Sequence, residues 1–286
     1  MKPKERFLNQ PKKFWAHIRS LSQSLGYSVR GEDKIHFFTA EEIKHGMAKN
    51  GLSSSHLFDK NGNANAFCTT IVDYFTYRAD VINNFVKKHL MDKKESEELF
   101  QSLYKKLNPK CPLPMNKQKG DKKAVAFLTC IINMLIEKHS GTCTVDYDPR
   151  QLTTITKNGM PLRTLARRID GAFPSVVNPI AVWEIKEYYY TTTFGSRVAD
   201  GVYETLLDGL ELEELKKEEN IHILHYLFVD DRFTWWDCGK SYLCRLIDIL
   251  NMGYVDEVIV GREVVDRVPD LLEIWLKELK TQSLKK

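Results

Sequence analysis

Apolar positions at helical spacing open the chain: Phe14, Ile18, Leu21 and Leu25, following Pro11, form one stripe. Thr39-Ala-Glu-Glu42 has the chemistry of a capping box and predicts a second helix that Gly51 closes. The helical period resumes over 66–90 through Phe67, Ile71, Tyr74, Phe75, Ile82, Phe85 and Val86, and a shorter charged helix is expected over about 95–107. Pro109, Pro112, Pro114 and Gly120 then forbid regular structure across 108–123. That stretch is the expected boundary between a helical N-terminal region, 1–122, and a second unit, 123–286.

Past the boundary the pattern changes. Residues 123–139 read as one more helix, with Val125, Leu128, Ile131, Ile132 and Leu135 on its apolar side. Residues 151–156 and 162–173 read as extended, joined by a hairpin at Lys157-Asn158-Gly159, where Asn-Gly favours a type I′ turn. A strand over 180–190 precedes a helix over 196–218, whose Val198, Val202, Leu206 and Leu210 lie four apart. Residues 221–229 are apolar on both faces, as a central strand should be, and a helix (240–251), a strand (255–260) and a last helix (264–280) complete the order. Strands alternating with helices predict an α/β fold, a sheet layered with helices. No glycine-rich loop joins a first strand to a helix and no P-loop is present, which excludes the dinucleotide and nucleotide-triphosphate folds that need them.

Composition changes this picture little. At 286 residues, 43% hydrophobic and 28% charged, the chain is too apolar to be disordered. No apolar run approaches the roughly 20 residues of a membrane span, and the basic N-terminus has no apolar stretch behind it, so neither a membrane location nor secretion is expected. The six cysteines show neither a CxxC pair nor zinc-ligand spacing and read as reduced thiols of a cytoplasmic protein. Charge is more informative. Residues 1–20 carry a local +5 and residues 104–123 a local +6, which leaves −7 on the remainder of a chain whose formal net charge is +4. Two basic patches on an acidic body point to an anionic partner, nucleic acid before membrane.

The chemistry concentrates in 167–197. Glu184-Ile-Lys186 lies within a predicted strand, so period-2 alternation sets Glu184, Lys186 and Val182 on one face and Trp183 and Ile185 on the other. A carboxylate and an amine side by side in mid-strand are costly unless used or paired. Asp170 ends the preceding extended segment, and the turn carrying Pro174 and Pro179 can return it to Glu184. The bare pattern of acid, any residue, lysine occurs seven times, starting at Glu32, Glu42, Asp92, Asp121, Glu184, Glu214 and Glu278. Only the occurrence at Glu184 has both a strand context and an acid at the end of the strand before it.

Asp170, a 13-residue spacer and Glu184-Ile-Lys186 resemble the signature of the PD-(D/E)XK nuclease superfamily, which includes most type II restriction endonucleases. The order of elements over roughly 123–260 resembles that superfamily's core, while Ile169 stands where the motif has proline. The resemblance implies a restriction-endonuclease-like core, a mixed sheet flanked by helices, and Mg2+-dependent hydrolysis of duplex DNA. Asp170, Glu184 and the main-chain carbonyl of Ile185 would hold the metal, which is a hard ion suited to one or two carboxylates. Lys186 would orient or deprotonate the attacking water, with burial lowering its pKa. Glu204, on the helix that follows, would be a further ligand or water-positioning group. Phosphate contacts are expected from Thr193, Ser196 and Arg197 at that helix's start, from Arg168, taken to share Asp170's face, and from Lys117 and Lys119 in the basic loop. A homodimer and a cognate DNA methyltransferase follow from the family. A structure-specific, repair or RNA nuclease of the same fold, and a non-catalytic DNA-binding protein, stand as alternatives.

Overall fold

The computed structural model describes residues 1–28, 32–116, 124–191 and 195–283. Helices α1 (Glu5–Leu8), α2 (Lys12–Leu25), α3 (Ala40–Lys49) and α4 (Ala66–Asp80) bury Phe7, Phe14, Ile18, Leu21, Ile43, Tyr74 and Phe75 in one core. The capping box forms as its residues predict: the Glu42 N–H donates to Thr39 Oγ1, and the Thr39 N–H donates to Glu42 Oε2 at 2.8 Å. From α4 the chain runs on through a π-helical stretch, Val81–Val86, and α5 (Lys87–His89), so the helix expected over 66–90 is continuous but locally widened.

Helices α6 (Lys93–Leu107) and α7 (Phe127–His139) follow, then the strands β1 (Asp146–Tyr147), β2 (Thr154–Lys157), β3 (Met160–Thr164), β4 (Gly171–Phe173) and β5 (Ala181–Glu187). Next come α8 (Ser196–Glu219), β6 (Leu224–Asp230), α9 (Lys240–Asn251), β7 (Glu257–Val260) and α10 (Val264–Ser283). Five strands form one mixed sheet in the order β1-β4-β5-β6-β7; β4 pairs antiparallel with β1 and β5, and β5–β6 and β6–β7 are parallel. The hairpin β2–β3 stands apart, and its Asn158 and Gly159 both take positive φ, as a type I′ turn requires. The long extended segment expected over 162–173 is two short strands, β3 and β4, with irregular backbone between them.

The sheet is layered on both sides. Trp183, Phe173, Tyr226, Phe228 and Ile259 share a core with α6, α7 and α10, and the Trp183 and Trp275 rings stack at 5.4 Å. On the opposite face Leu227, Val229, Val258 and Val260 pack with Val198 and Val202 of α8 and with α9. Phe100 and Leu103 of α6, which precedes the expected boundary, belong to the first of these cores. The N-terminal helices join the sheet unit through Arg78, fully buried on α4, which donates to both oxygens of Asp248 on α9 at 3.1 Å, with the Tyr74 hydroxyl donating to Asp248 Oδ1 at 2.6 Å. Among the described residues no helix is long and apolar enough to cross a membrane, and all six cysteines are free.

Gly171 is fixed by contact, since a Cβ there would overlap the Trp183 indole. Gly171→Ala is therefore expected to lower the unfolding free energy by about 1–3 kcal/mol, the usual range for overpacking. Denaturant unfolding followed by tryptophan fluorescence measures it; an unchanged midpoint would contradict the close approach.

Candidate active site

The register brings two carboxylates together. Gly171 pairs with Trp183 and Ala172 with Val182 across the antiparallel β4–β5 ladder, so the next step outward sets Asp170 opposite Glu184. The Asp170 N–H donates to the Trp183 carbonyl at 3.2 Å, and Asp170 Oδ2 accepts from the Ile185 N–H at 2.8 Å. One residue's N–H and C=O leave a strand on the same edge, so the Ile185 carbonyl is directed along the edge where Asp170 lies, beyond the last rung of β4.

Glu184 and Lys186 point to the α8 face, as alternation requires, and both are buried. Lys186 Nζ donates to Glu184 Oε2 at 2.8 Å and to Glu204 Oε2, on α8, at 2.7 Å. The lysine reaches this position beneath Gly201 of α8, where a Cβ would stand 3.2 Å from Lys186 Cδ and 3.0 Å from the Tyr188 hydroxyl. Trp235 Nε1 donates to the Lys186 carbonyl at 3.3 Å, and the adjacent tryptophans Trp235 and Trp236 are both buried in the core.

Arg167 completes the network. Its Nη2 donates to Glu184 Oε2 at 3.0 Å and Glu204 Oε2 at 3.3 Å, and its Nη1 donates to Asp208 Oδ2 at 2.6 Å. The same Nη1 lies 3.0 Å from Glu184 Oε1 as an ion pair, yet that oxygen accepts no hydrogen bond, and buried Asp208 Oδ1 has no partner either. Four carboxylates, Asp170, Glu184, Glu204 and Asp208, thus face two cations, Lys186 and Arg167, a formal charge of −2 when all are ionised.

This balance sets the protonation states. Burial would push the Glu184 carboxyl up, but the charges of Lys186 and Arg167 outweigh it and hold the group below the usual carboxylate range. Burial likewise pulls the Lys186 amine down, and here Glu184 and Asp170 prevail, so its pKa lies above the ordinary lysine value. The expectation that burial lowers the Lys186 pKa is corrected: surrounding carboxylates keep it an ammonium. Asp208 goes the other way, pushed up to about 7 by burial and then by the charge of Glu184.

The remaining expected site residues are placed as follows. Glu204 reaches the centre. Ser196 and Arg197 are exposed on the first turn of α8, and the Tyr188 hydroxyl donates to the Arg197 carbonyl at 3.1 Å, holding that turn over the end of β5. Arg168 is exposed; residues 165–170 are not a strand, so alternation does not set its face, and it is Arg167 that turns inward to Glu184 and Asp208. Thr193, Lys117 and Lys119 lie outside the described residues. Arg167 and Asp208 are the members that sequence reasoning missed. Their signal was indirect: Gly201 and Gly209, costly inside a helix, mark the side of α8 pressed against its neighbours, Lys186 and Tyr254.

Among the described residues no three His, Cys, Asp or Glu side chains form a ready metal cage. The donors nevertheless fit a hard divalent cation, which takes one or two carboxylates and keeps its waters: two cross-strand carboxylates, a carbonyl on their edge and a buried Glu184 oxygen with no hydrogen bond. A family model described as "Domain of unknown function (DUF7687)" matches residues 91–275, and a second, "Domain of unknown function (DUF7690)", matches residues 1–85. No curated protein and no solved structure matched the chain.

Because folded Asp208 keeps its proton up to about pH 7, while an unfolded aspartate releases it near 3.8, its contribution to stability falls as pH rises between those values and is constant above them. Thermal unfolding of the wild type and Asp208→Asn across that range is expected to show the variant gaining on the wild type up to about pH 7. A difference independent of pH would contradict the assignment.

Proposed function

Since the chain belongs to the DUF7687 family and that membership brings no activity with it, we propose one from the site itself: a Mg2+-dependent endodeoxyribonuclease that hydrolyses phosphodiester bonds in duplex DNA. The observation that carries the reading is Asp170 set cross-strand from Glu184, with Lys186 two residues on and on the same face. An antiparallel β4–β5 pair followed through α8 by parallel β6 supports a restriction-endonuclease-like core for this fold.

Asp170, Glu184 and the Ile185 carbonyl would hold the metal, which when bound supplies Lewis-acid charge and a more acidic water. Lys186, as an ammonium fixed between Glu184 and Glu204, donates hydrogen bonds toward the attacking water or a phosphate oxygen and offsets charge that grows in the transition state. It is not the base. Glu204, partly exposed at the rim, keeps that ammonium in place. Ser196 and Arg197, at an exposed helix start beside the end of β5, are positioned to take a flanking phosphate. The exposed lysines and arginines of residues 1–20 would add backbone contacts that position DNA without reading it. The reading extends to a cytoplasmic restriction enzyme acting as a homodimer beside a cognate methyltransferase.

Cleavage of a long mixed-sequence duplex is expected to yield discrete fragments with Mg2+ and none with EDTA. Lys186→Ala is expected to slow cleavage by at least about 100-fold, the loss that follows removal of one transition-state donor. A smear with the same dependences would keep the chemistry and remove the sequence specificity. Cleavage that survives EDTA or the Lys186 change would overturn the site.

A further inference from the structure

We infer that Arg167 is the site's own counter-ion: it closes the carboxylates in the metal-free protein and must leave them when a divalent cation binds. The inference rests on the reading that Asp170 and Glu184 hold that cation.

One guanidinium here meets three carboxylates from two elements. Nη1 stands 3.0 Å from Glu184 Oε1 and 2.6 Å from Asp208 Oδ2, and Nη2 stands 3.0 Å from Glu184 Oε2 and 3.3 Å from Glu204 Oε2. The planar fork thereby ties β5 to α8. The two cations of the site differ in how they arrive. Lys186 rises from the sheet beneath Gly201 with its side chain 10% exposed, whereas Arg167 reaches in from irregular backbone between β3 and β4 with its side chain 23% exposed. Of the two, only Arg167 can withdraw without moving the sheet.

Glu184 Oε1 decides which must yield. It is buried and accepts no hydrogen bond, so a cation can take it without breaking one, but Arg167 Nη1 faces that same oxygen. A divalent ion and a guanidinium sharing one buried oxygen repel strongly at such separations. The arginine therefore competes with the metal for Glu184. Once released, its fork matches the oxygens of a DNA phosphate, which would hold it away from the carboxylates. Metal and DNA then reinforce each other's binding, because each stabilises the open position of Arg167.

Titrating Mn2+ into the full-length protein by calorimetry tests this without reference to cleavage. Arg167→Gln is expected to bind Mn2+ about tenfold more tightly than the wild type, within the roughly 5–150-fold span of coupled sites. Arg167→Lys, which keeps the charge but cannot bridge, is expected to fall between them and carries the test if the glutamine variant fails to fold. Arg163→Gln removes a charge four residues earlier, on β3, where Arg163 pairs with Glu214, and is expected to leave Mn2+ affinity unchanged. Equal affinity in the wild type and Arg167→Gln, or an equal gain in Arg163→Gln, would overturn the inference. Asp170→Asn separates the two levels. If it weakens Mn2+ binding while Arg167→Gln has no effect, only the role of Arg167 falls. If it has no effect, or no variant binds Mn2+, the cation site falls with it.

Discussion

A glutamate and a lysine buried in mid-sheet are the constraint on which the rest of this structure depends. Ionised groups taken out of water cost several kcal/mol each unless partners replace the lost solvent. Glu184 and Lys186 meet that demand first with each other, at 2.8 Å, and then with Glu204 and Arg167. The partners come from a helix and a loop distant in sequence, so the network fixes how α8 lies on the sheet and where the segment before β4 must pass. Asp208, drawn in by the same arginine, is left with a buried oxygen that nothing satisfies. A site serving stability alone could replace this cluster with apolar residues of similar volume.

The strand beyond the site is held with similar care. Glu187, the residue after Lys186, is half-buried and accepts from the Leu128 N–H and the Thr129 hydroxyl, both at 2.8 Å, which caps the start of α7. Burial pushes its carboxyl up to about 7. Its neighbour in register, Asp230, accepts from the Met91 N–H at 2.8 Å and from the Tyr189 hydroxyl, and is pushed up to about 8, again by burial. The ends of β5 and β6 are thus tied to α7 and to the segment after α5. These ties fix the far end of β5, the strand that carries Glu184 and Lys186.

Much of this was legible in the sequence because it follows from short-range periods. Alternation placed Glu184 and Lys186 on one face, the Asn158-Gly159 pair named its turn, and the capping box at Thr39 located a helix start. What escaped depends on contacts that no local period carries. Arg167 lies in irregular backbone, so counting back from Asp170 selected Arg168 instead. The state of the Lys186 amine depends on Glu204 from α8 and Asp170 from the neighbouring strand as much as on burial, and burial alone suggested the wrong sign. Helix α6 shares a core with α7 because residues 108–116 fold back along α7, where Asn133 Nδ2 donates to the Pro112 carbonyl at 2.9 Å; a run of prolines reads the same in a linker and in a packed loop.

The central question is whether the carboxylates of Asp170 and buried Glu184 hold a divalent cation. Anomalous diffraction from crystals soaked in Mn2+ locates such an ion directly. The expected result is one peak between Asp170 and Glu184, within ligand distance of the Ile185 carbonyl, with the Arg167 guanidinium withdrawn from Glu184. Crystals that take up manganese elsewhere, or leave Arg167 on Glu184 at saturating metal, would contradict it.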